Sequence, residues 1–258
     1  MAYFRDIYYQ VRYDLLRNKW IRRSKKNNGM NLVLMYHHVT DEYVDTPSTC
    51  RCTLEEFRIS INDLKKQGFS FVDLDTIYSS VCNNNKPSNL VNISFDDVPS
   101  NFYYNAFPLL KENNIPFTLF VTSGFLDREG FLSQSQLLEL SRNPLCTVGA
   151  HTVTHPRLRY TNRSFEEICN SKNEIESIIN KKVNYFAYPY GRQSTVSPRN
   201  MNEVEKAGFL CAFGTIGSPL TISSGDYLFY LPRLVYKGGS ISDYLKYQFP
   251  LLNRLLAH

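Results

Sequence analysis

The chain has 258 residues, 43% of them hydrophobic and 14% aromatic, with 18 Tyr and 17 Phe. That composition excludes a disordered chain, and the length suits one large α/β barrel. The net charge of +5 is unevenly placed: residues 1–28 hold eight basic side chains against Asp6 and Asp14, so the arm carries +6 and the remainder −1. A body without a basic stripe argues against nucleic-acid binding.

Within the arm, Phe4, Ile7, Tyr8, Val11, Leu15 and Leu16 recur at helical spacing and lead to Trp20, the only tryptophan. A basic amphipathic helix of this kind either lies on an anionic membrane surface or packs its apolar stripe on the domain's own flank. No apolar run reaches the roughly 18 residues of a membrane span, and no signal-peptide core precedes a small-residue cleavage site. The expected compartment is therefore the cytoplasm, or the inner face of its membrane. Cys50, Cys52, Cys82, Cys146, Cys169 and Cys211 are then expected as free thiols, since Cys50-Arg51-Cys52 has no second Cys/His pair at zinc-finger spacing.

After the arm, apolar runs alternate with helical patterns. "NLVLMYH" (31–37) reads as a strand, and Thr53 with Glu56 as the capping box of a helix ending at Gly68. "FSFVDL" predicts a strand, 75–81 a short helix, and "LVNISF" a strand. A helix over 101–114 contains Pro108, so it is kinked or starts late. "IPFTLFVT", "LCTVGAH", "VNYFAYP" and "FLCAFG" predict strands, separated by helices over 133–142, from Ser164 and over 199–207. Ser164 and Glu167 form another capping-box pattern. A last strand, "YLFYLPRLVY", precedes a helix from Ser240. Such alternation implies βα units and a parallel sheet or barrel with right-handed crossovers.

In such folds the working groups sit where strands end. Four strand ends carry candidates: His37 and His38, Asp96 and Asp97, His151 with His155, and "YPYG" (188–191). Adjacent carboxylates repel unless a cation or hydrogen-bond donors sit between them. Two histidines four apart, joined to a neighbouring carboxylate, make a metal shell that leaves positions open for water and substrate. One aspartate would bind the metal while the other stays free as a base. Only one of His37 and His38 can face the interior, because adjacent strand residues point to opposite sides. Tyr188 and Tyr190 are either sugar-stacking rings or core.

"SFDD" (94–97), "HTVTH" (151–155), "YPYG" and "LPRLV" (231–235) together resemble the signature segments of polysaccharide deacetylases, carbohydrate esterase family four. "LMYHHV" (34–39) is similar to a permuted branch that includes the poly-N-acetylglucosamine deacetylases, and the likeness spans about residues 31–236. It implies a distorted (β/α) barrel of about seven strands over 31–258, following an arm over 1–30. It also implies metal-assisted hydrolysis of an N-acetyl group on a sugar; the basic arm and the expected compartment point to a glycan or lipid-linked saccharide precursor in surface-polysaccharide assembly as substrate. By position, Asp97, His151 and His155 would hold a divalent metal, most simply zinc, with nickel, cobalt or iron also suited to imidazole and carboxylate. Asp96 would be the general base, His37 the acid for the leaving amine, and the Tyr190 N–H an oxyanion donor.

Two departures stand out. The family carries glycine after the aspartate pair, whereas Val98-Pro99 follows here; a β-branched residue disfavours positive φ, so the turn should differ or the pocket be reshaped. The arginine two residues before the motif proline is replaced by Ala187, and Arg233 could supply that cation beside Asp96, the alternative being a surface ion pair. Val98 motivates a competing reading as a glycan-binding protein without turnover. An O-acetyl esterase is a third, distinguished by needing a weaker acid for its leaving group.

Overall fold

The computed structural model describes residues 30–41, 51–83, 85, 88–220, 227–236, 238–241, 243 and 245. The arm over 1–28, with the membrane role expected of it, lies outside the described residues, as does Cys50. Cys52, Cys82, Cys146, Cys169 and Cys211 are free thiols, and no described helix is long and apolar enough to cross a membrane.

One parallel sheet organises the fold. Its strands are β1 (Leu32–Tyr36), β4 (Ser70–Phe71), β5 (Leu90–Asp96), β6 (Phe117–Val121), β7 (Cys146–Ala150), β8 (Tyr185–Ala187), β9 (Cys211–Phe213) and β10 (Leu234–Val235). The spatial order is β10-β1-β5-β6-β7-β8-β9, with β4 paired to the start of β5. The seven-strand path is the distorted (β/α) barrel the sequence implied. A separate pair, β2 (His38–Thr40) and β3 (Arg51–Thr53), branches off directly after β1. The helices are α1 (Leu54–Lys66), α2 (Leu74–Cys82), α3 (Phe107–Glu112), α4 (Gln134–Arg142), α5 (Ser164–Ile179) and α6 (Pro198–Lys206).

The strands alternate two chemistries. On β5, Val91, Ile93 and Phe95 join the large apolar cluster, whereas Asn92, Ser94 and Asp96 take the opposite face and are also buried. Those interior polar groups are paired: Thr118 Oγ1 donates to Asn92 Oδ1 (3.0 Å), Asn92 Nδ2 to the Val72 carbonyl (2.8 Å), and Ser94 Oγ to the Leu34 carbonyl (2.9 Å). A second cluster joins the strand residues Val33, Phe120, Tyr185, Cys211 and Phe213 to Leu74, Ile77 and Val81 of α2. Tyr185 Oη donates to the Asp75 carboxylate, pinning that helix in place.

Capping boxes open α1 (Thr53 with Glu56), α4 (Ser133 with Gln136) and α6 (Ser197 with Asn200). Around Pro108 the expected helix divides: a π-helical turn, Phe102–Ala106, feeds α3, whose proline lies in the first turn where its missing N–H costs nothing. Two expectations need correction. Helix α5 is capped by the backbone of Arg163 without a side-chain hydrogen bond, so Ser164 and Glu167 form no capping box. The run 227–236 is also not one strand. Residues 227–230 form a tight helical turn, and Leu231 bridges Phe213 of β9; after Pro232 and Arg233 the chain crosses over, so that Leu234 and Val235 pair with Leu34 and Met35 of β1. This short segment touches both edges of the sheet.

Candidate metal and catalytic centre

The carboxyl edge of the sheet gathers the candidates. Asp96 is the last residue of β5, and Asp97 opens the following turn. His151 follows β7, and the loop after it returns His155 to the same side. His151 Nε2 lies 3.7 Å from Asp96 Oδ2 and 4.0 Å from Asp97 Oδ1, while His155 Nε2 is 3.7 Å from Asp97 Oδ1. The two imidazoles meet edge to face at 4.9 Å.

Asp97, His151 and His155 present donor atoms within 4.8 Å of one another, the one such cluster among the described residues. The fit to a cation rests on the tautomer and the charge. His151 Nδ1 is 2.7 Å from the Ala187 carbonyl and must donate to it, which leaves Nε2 as a lone-pair donor facing the carboxylates. Burial pushes His151 down to about 4 despite the opposing charge of Asp96, so the ring is neutral near pH 7, the form that binds metal. Thr122 Oγ1 donates to Asp97 Oδ1 at 2.8 Å, orienting the carboxylate.

Asp96 is differently placed. Burial alone would raise its pKa, but the Arg233 charge, helped by His151, brings it down to about 2. Arg233 holds it through two hydrogen bonds, Nη1 to Oδ1 at 2.6 Å and Nη2 to Oδ2 at 2.7 Å. Arg233 is 0% exposed, donates also to Ser94 Oγ at 3.3 Å, and sits 5.0 Å over the Phe120 ring. The surface ion pair is thus excluded.

His37 follows β1 in the phase of Val33, a residue of the interior cluster, and its charge acts on Asp96. His38 begins β2 opposite Arg51, with Nδ1 3.1 Å from Asn101 Nδ2; burial and then Arg51 push it down to about 4. Both rings thus lie near the aspartates, His37 acting on Asp96 and His38 on Asp97. Tyr188 is buried, its hydroxyl donating to the Phe229 carbonyl at 2.8 Å, so it is core. Tyr190 is 48% exposed, its ring 4.8 Å from His155 and 5.1 Å from the Arg157 guanidinium. Its N–H has no acceptor among the described residues.

Backbone strain concentrates at the same edge. Asp97 (φ 60°), Val98 (52°), Thr152 (70°), His155 (58°) and Tyr190 (61°) all adopt left-handed conformations, each costing about 1–3 kcal/mol that the surrounding structure must offset. Val98 thus keeps the positive φ that glycine would serve. Its side chain is completely buried in the outer apolar cluster, so it packs into the core behind the turn.

Sequence reasoning missed the supports. Gly124 N donates to the Val153 carbonyl (3.0 Å) and Ser123 N to the Thr152 carbonyl (3.1 Å), tying the turn after β6 to the histidine loop. A Cβ on Gly124 would lie 2.5 Å from that Val153 oxygen. Only Glu167 carried a signal, misread as a cap.

A barrel edge bearing a carboxylate, two imidazoles and a buried Asp–Arg pair defines a hydrolase centre of the polysaccharide deacetylase type. The polysaccharide deacetylase family profile matches residues 83–211, half of the chain, and the chain belongs to that family. The chain is 26% identical over 239 residues to the poly-beta-1,6-N-acetyl-D-glucosamine N-deacetylase of Staphylococcus aureus strain MRSA252, covering 87% of this chain and 79% of the relative. The solved structure of IcaB from Ammonifex degensii superposes with a TM-score of 0.72 at 25% identity, covering 90% of this chain and 99% of the other. The deacetylase PplD of Streptococcus pyogenes, solved with acetate, gives a TM-score of 0.73 at 23% identity over 84% of this chain and 97% of the other.

Proposed function

We propose that the protein is a metal-dependent N-deacetylase acting on an acetamido group of a poly-N-acetylglucosamine-type glycan or its lipid-linked precursor. The observation that carries this reading is a three-donor cluster, Asp97, His151 and His155, beside a second carboxylate, Asp96, that is paired with Arg233. A divalent cation held by the three donors, zinc in the first instance, supplies Lewis acidity to the acyl carbonyl.

The chain's own groups provide the rest. Arg233 keeps Asp96 ionised at neutral pH, so its carboxylate can accept a proton from the attacking water. His37, on the same face of the barrel, donates a proton to the departing amine. The Tyr190 N–H, fixed by the left-handed turn at 190 and 191, offers a hydrogen bond where negative charge develops on the acyl oxygen. The burial of Val98 in the apolar cluster supports the reading with turnover over that of a glycan-binding protein.

The test is acetate release from N-acetylated β-1,6-glucosamine oligomers, with metal analysis of the same preparation. Bound metal without release would favour a binding protein. His37→Ala should depress amide cleavage far more than cleavage of an O-acetyl ester, and equal losses would remove the acid role. Placement at the inner membrane face rests on the sequence of residues 1–28 alone; equal vesicle flotation with and without them would withdraw it.

A further inference from the structure

Helix α5 spends a carboxylate outside itself. Glu167 Oε2 accepts the backbone N–H groups of Val153 (3.0 Å) and Thr154 (2.8 Å), and its Oε1 accepts the Thr154 hydroxyl (2.8 Å). These are the residues between the two histidines. The helix forgoes a cap in consequence: Arg163 makes no side-chain capping bond, and the buried Ser164 Oγ has no partner among the described residues. A side-chain cap is the weaker of the two interactions, because hydrogen bonds to a charged group are stronger than a single neutral capping bond. Two turns further along α5, Glu174 accepts the Ser123 hydroxyl at 2.5 Å, and Ser123 lies in the turn hydrogen-bonded to Thr152 and Val153.

The loop needs such a hold. Thr152 and His155 are both left-handed, and inside the loop the link is the His155 N–H to Thr152 Oγ1 at 3.0 Å. Without Glu167, two adjacent N–H groups lose their acceptor, and His155 is free to leave the face where Asp97 and His151 converge.

We infer that Glu167 is a positioning residue for the metal centre: its carboxylate, anchored on α5, sets the histidine loop so that His151 and His155 reach one cation. The inference rests on the metal reading above but concerns a residue that touches neither metal nor substrate. Outer contacts of this kind change metal affinity by roughly 10- to 100-fold.

The test compares full-length wild type with Glu167→Gln, Thr154→Val and, as control, Glu166→Gln. Glu166 is the neighbouring carboxylate on α5, exposed and paired with Arg163. Zinc affinity is measured by competition titration, the visible spectrum of the cobalt-substituted protein reports ligand geometry, and thermal melts of metal-free protein report folding. Glu167→Gln should weaken zinc roughly 10- to 100-fold and alter the cobalt spectrum, Thr154→Val should do so to a smaller degree, and Glu166→Gln should do neither. A lower melting temperature with unchanged zinc affinity and cobalt spectrum would overturn the inference while leaving the metal reading intact. Wild-type protein that binds neither zinc nor cobalt would overturn the metal reading, and this inference with it.

Discussion

Replacing Arg233 by methionine isolates the interaction on which the site's electrostatics turn. Asp96 is 2% exposed, and its carboxylate stays charged because the guanidinium faces it through bonds of 2.6 and 2.7 Å. The native pKa of about 2 against the ordinary 3.8 corresponds to about 2 kcal/mol of stability, present above pH 3.8 and lost as pH falls toward 2. Methionine fills similar volume but strands the buried carboxylate, and uncompensated buried charges of this kind cost about 3–5 kcal/mol. Burial, the largest influence on Asp96, is then opposed only by the neighbouring histidines and raises it, which reverses the sign: the variant is favoured below the ordinary carboxylate pKa and loses stability as pH rises through the new value. Urea denaturation in chelator at pH 5 and pH 8 should show a loss of about 4 kcal/mol at pH 8 and clearly less at pH 5. Asp96→Asn in the same background should recover much of the pH 8 loss. A loss below about 1 kcal/mol at pH 8, or an identical loss at both pH values, would refute the reasoning.

Other expectations are as direct. In metal-free protein, His151 is held down to about 4 from 6.5, so the unfolded chain takes up protons first and stability falls from pH 6.5 to 4, by about 3 kcal/mol; a urea midpoint with the same slope in His151→Gln would contradict this. Gly124→Ala puts a methyl 2.5 Å from the Val153 carbonyl oxygen, so the two loops must separate, and zinc affinity should fall with a modest drop in melting temperature; unchanged affinity would mean the loops are not coupled. At Val98, φ of 52° inverts the usual order of truncations. Glycine accepts that backbone while alanine keeps the strain of about 1 kcal/mol, so Val98→Gly should melt no lower than Val98→Ala, and the opposite order by several degrees would disprove the strain.

Much of this arrangement could be read from residue order because the signals were local. Each strand of the main sheet was marked by a short apolar run, and a parallel barrel forces such strands to end at one edge, so Asp96, Asp97, His151 and His155 had to converge. What escaped was set by partners distant in sequence. The Ser164–Glu167 spacing has the local form of a capping box, yet the carboxylate is taken by N–H groups at 153 and 154. Apolar content made 227–236 look like one strand, but Pro232 cannot donate to a ladder and the crossing at Arg233 serves two different edges. Period at His37 and His38 gave no sign that the chain leaves the main sheet there to pair His38 with Arg51. Val98 violated a sound rule about β-branched residues because packing of its side chain offsets the local strain.

The crossing at residues 231–235 also bears on how the molecule comes into being. During translation, the carboxylate of Asp96 emerges 137 residues ahead of its guanidinium partner, and the register between Leu34 and Leu234 cannot form until residue 234 has left the ribosome. Before that segment docks, Asp96 has no guanidinium partner and β1 lacks its neighbour, so the site's charge balance depends on a long-range contact that closes late in folding.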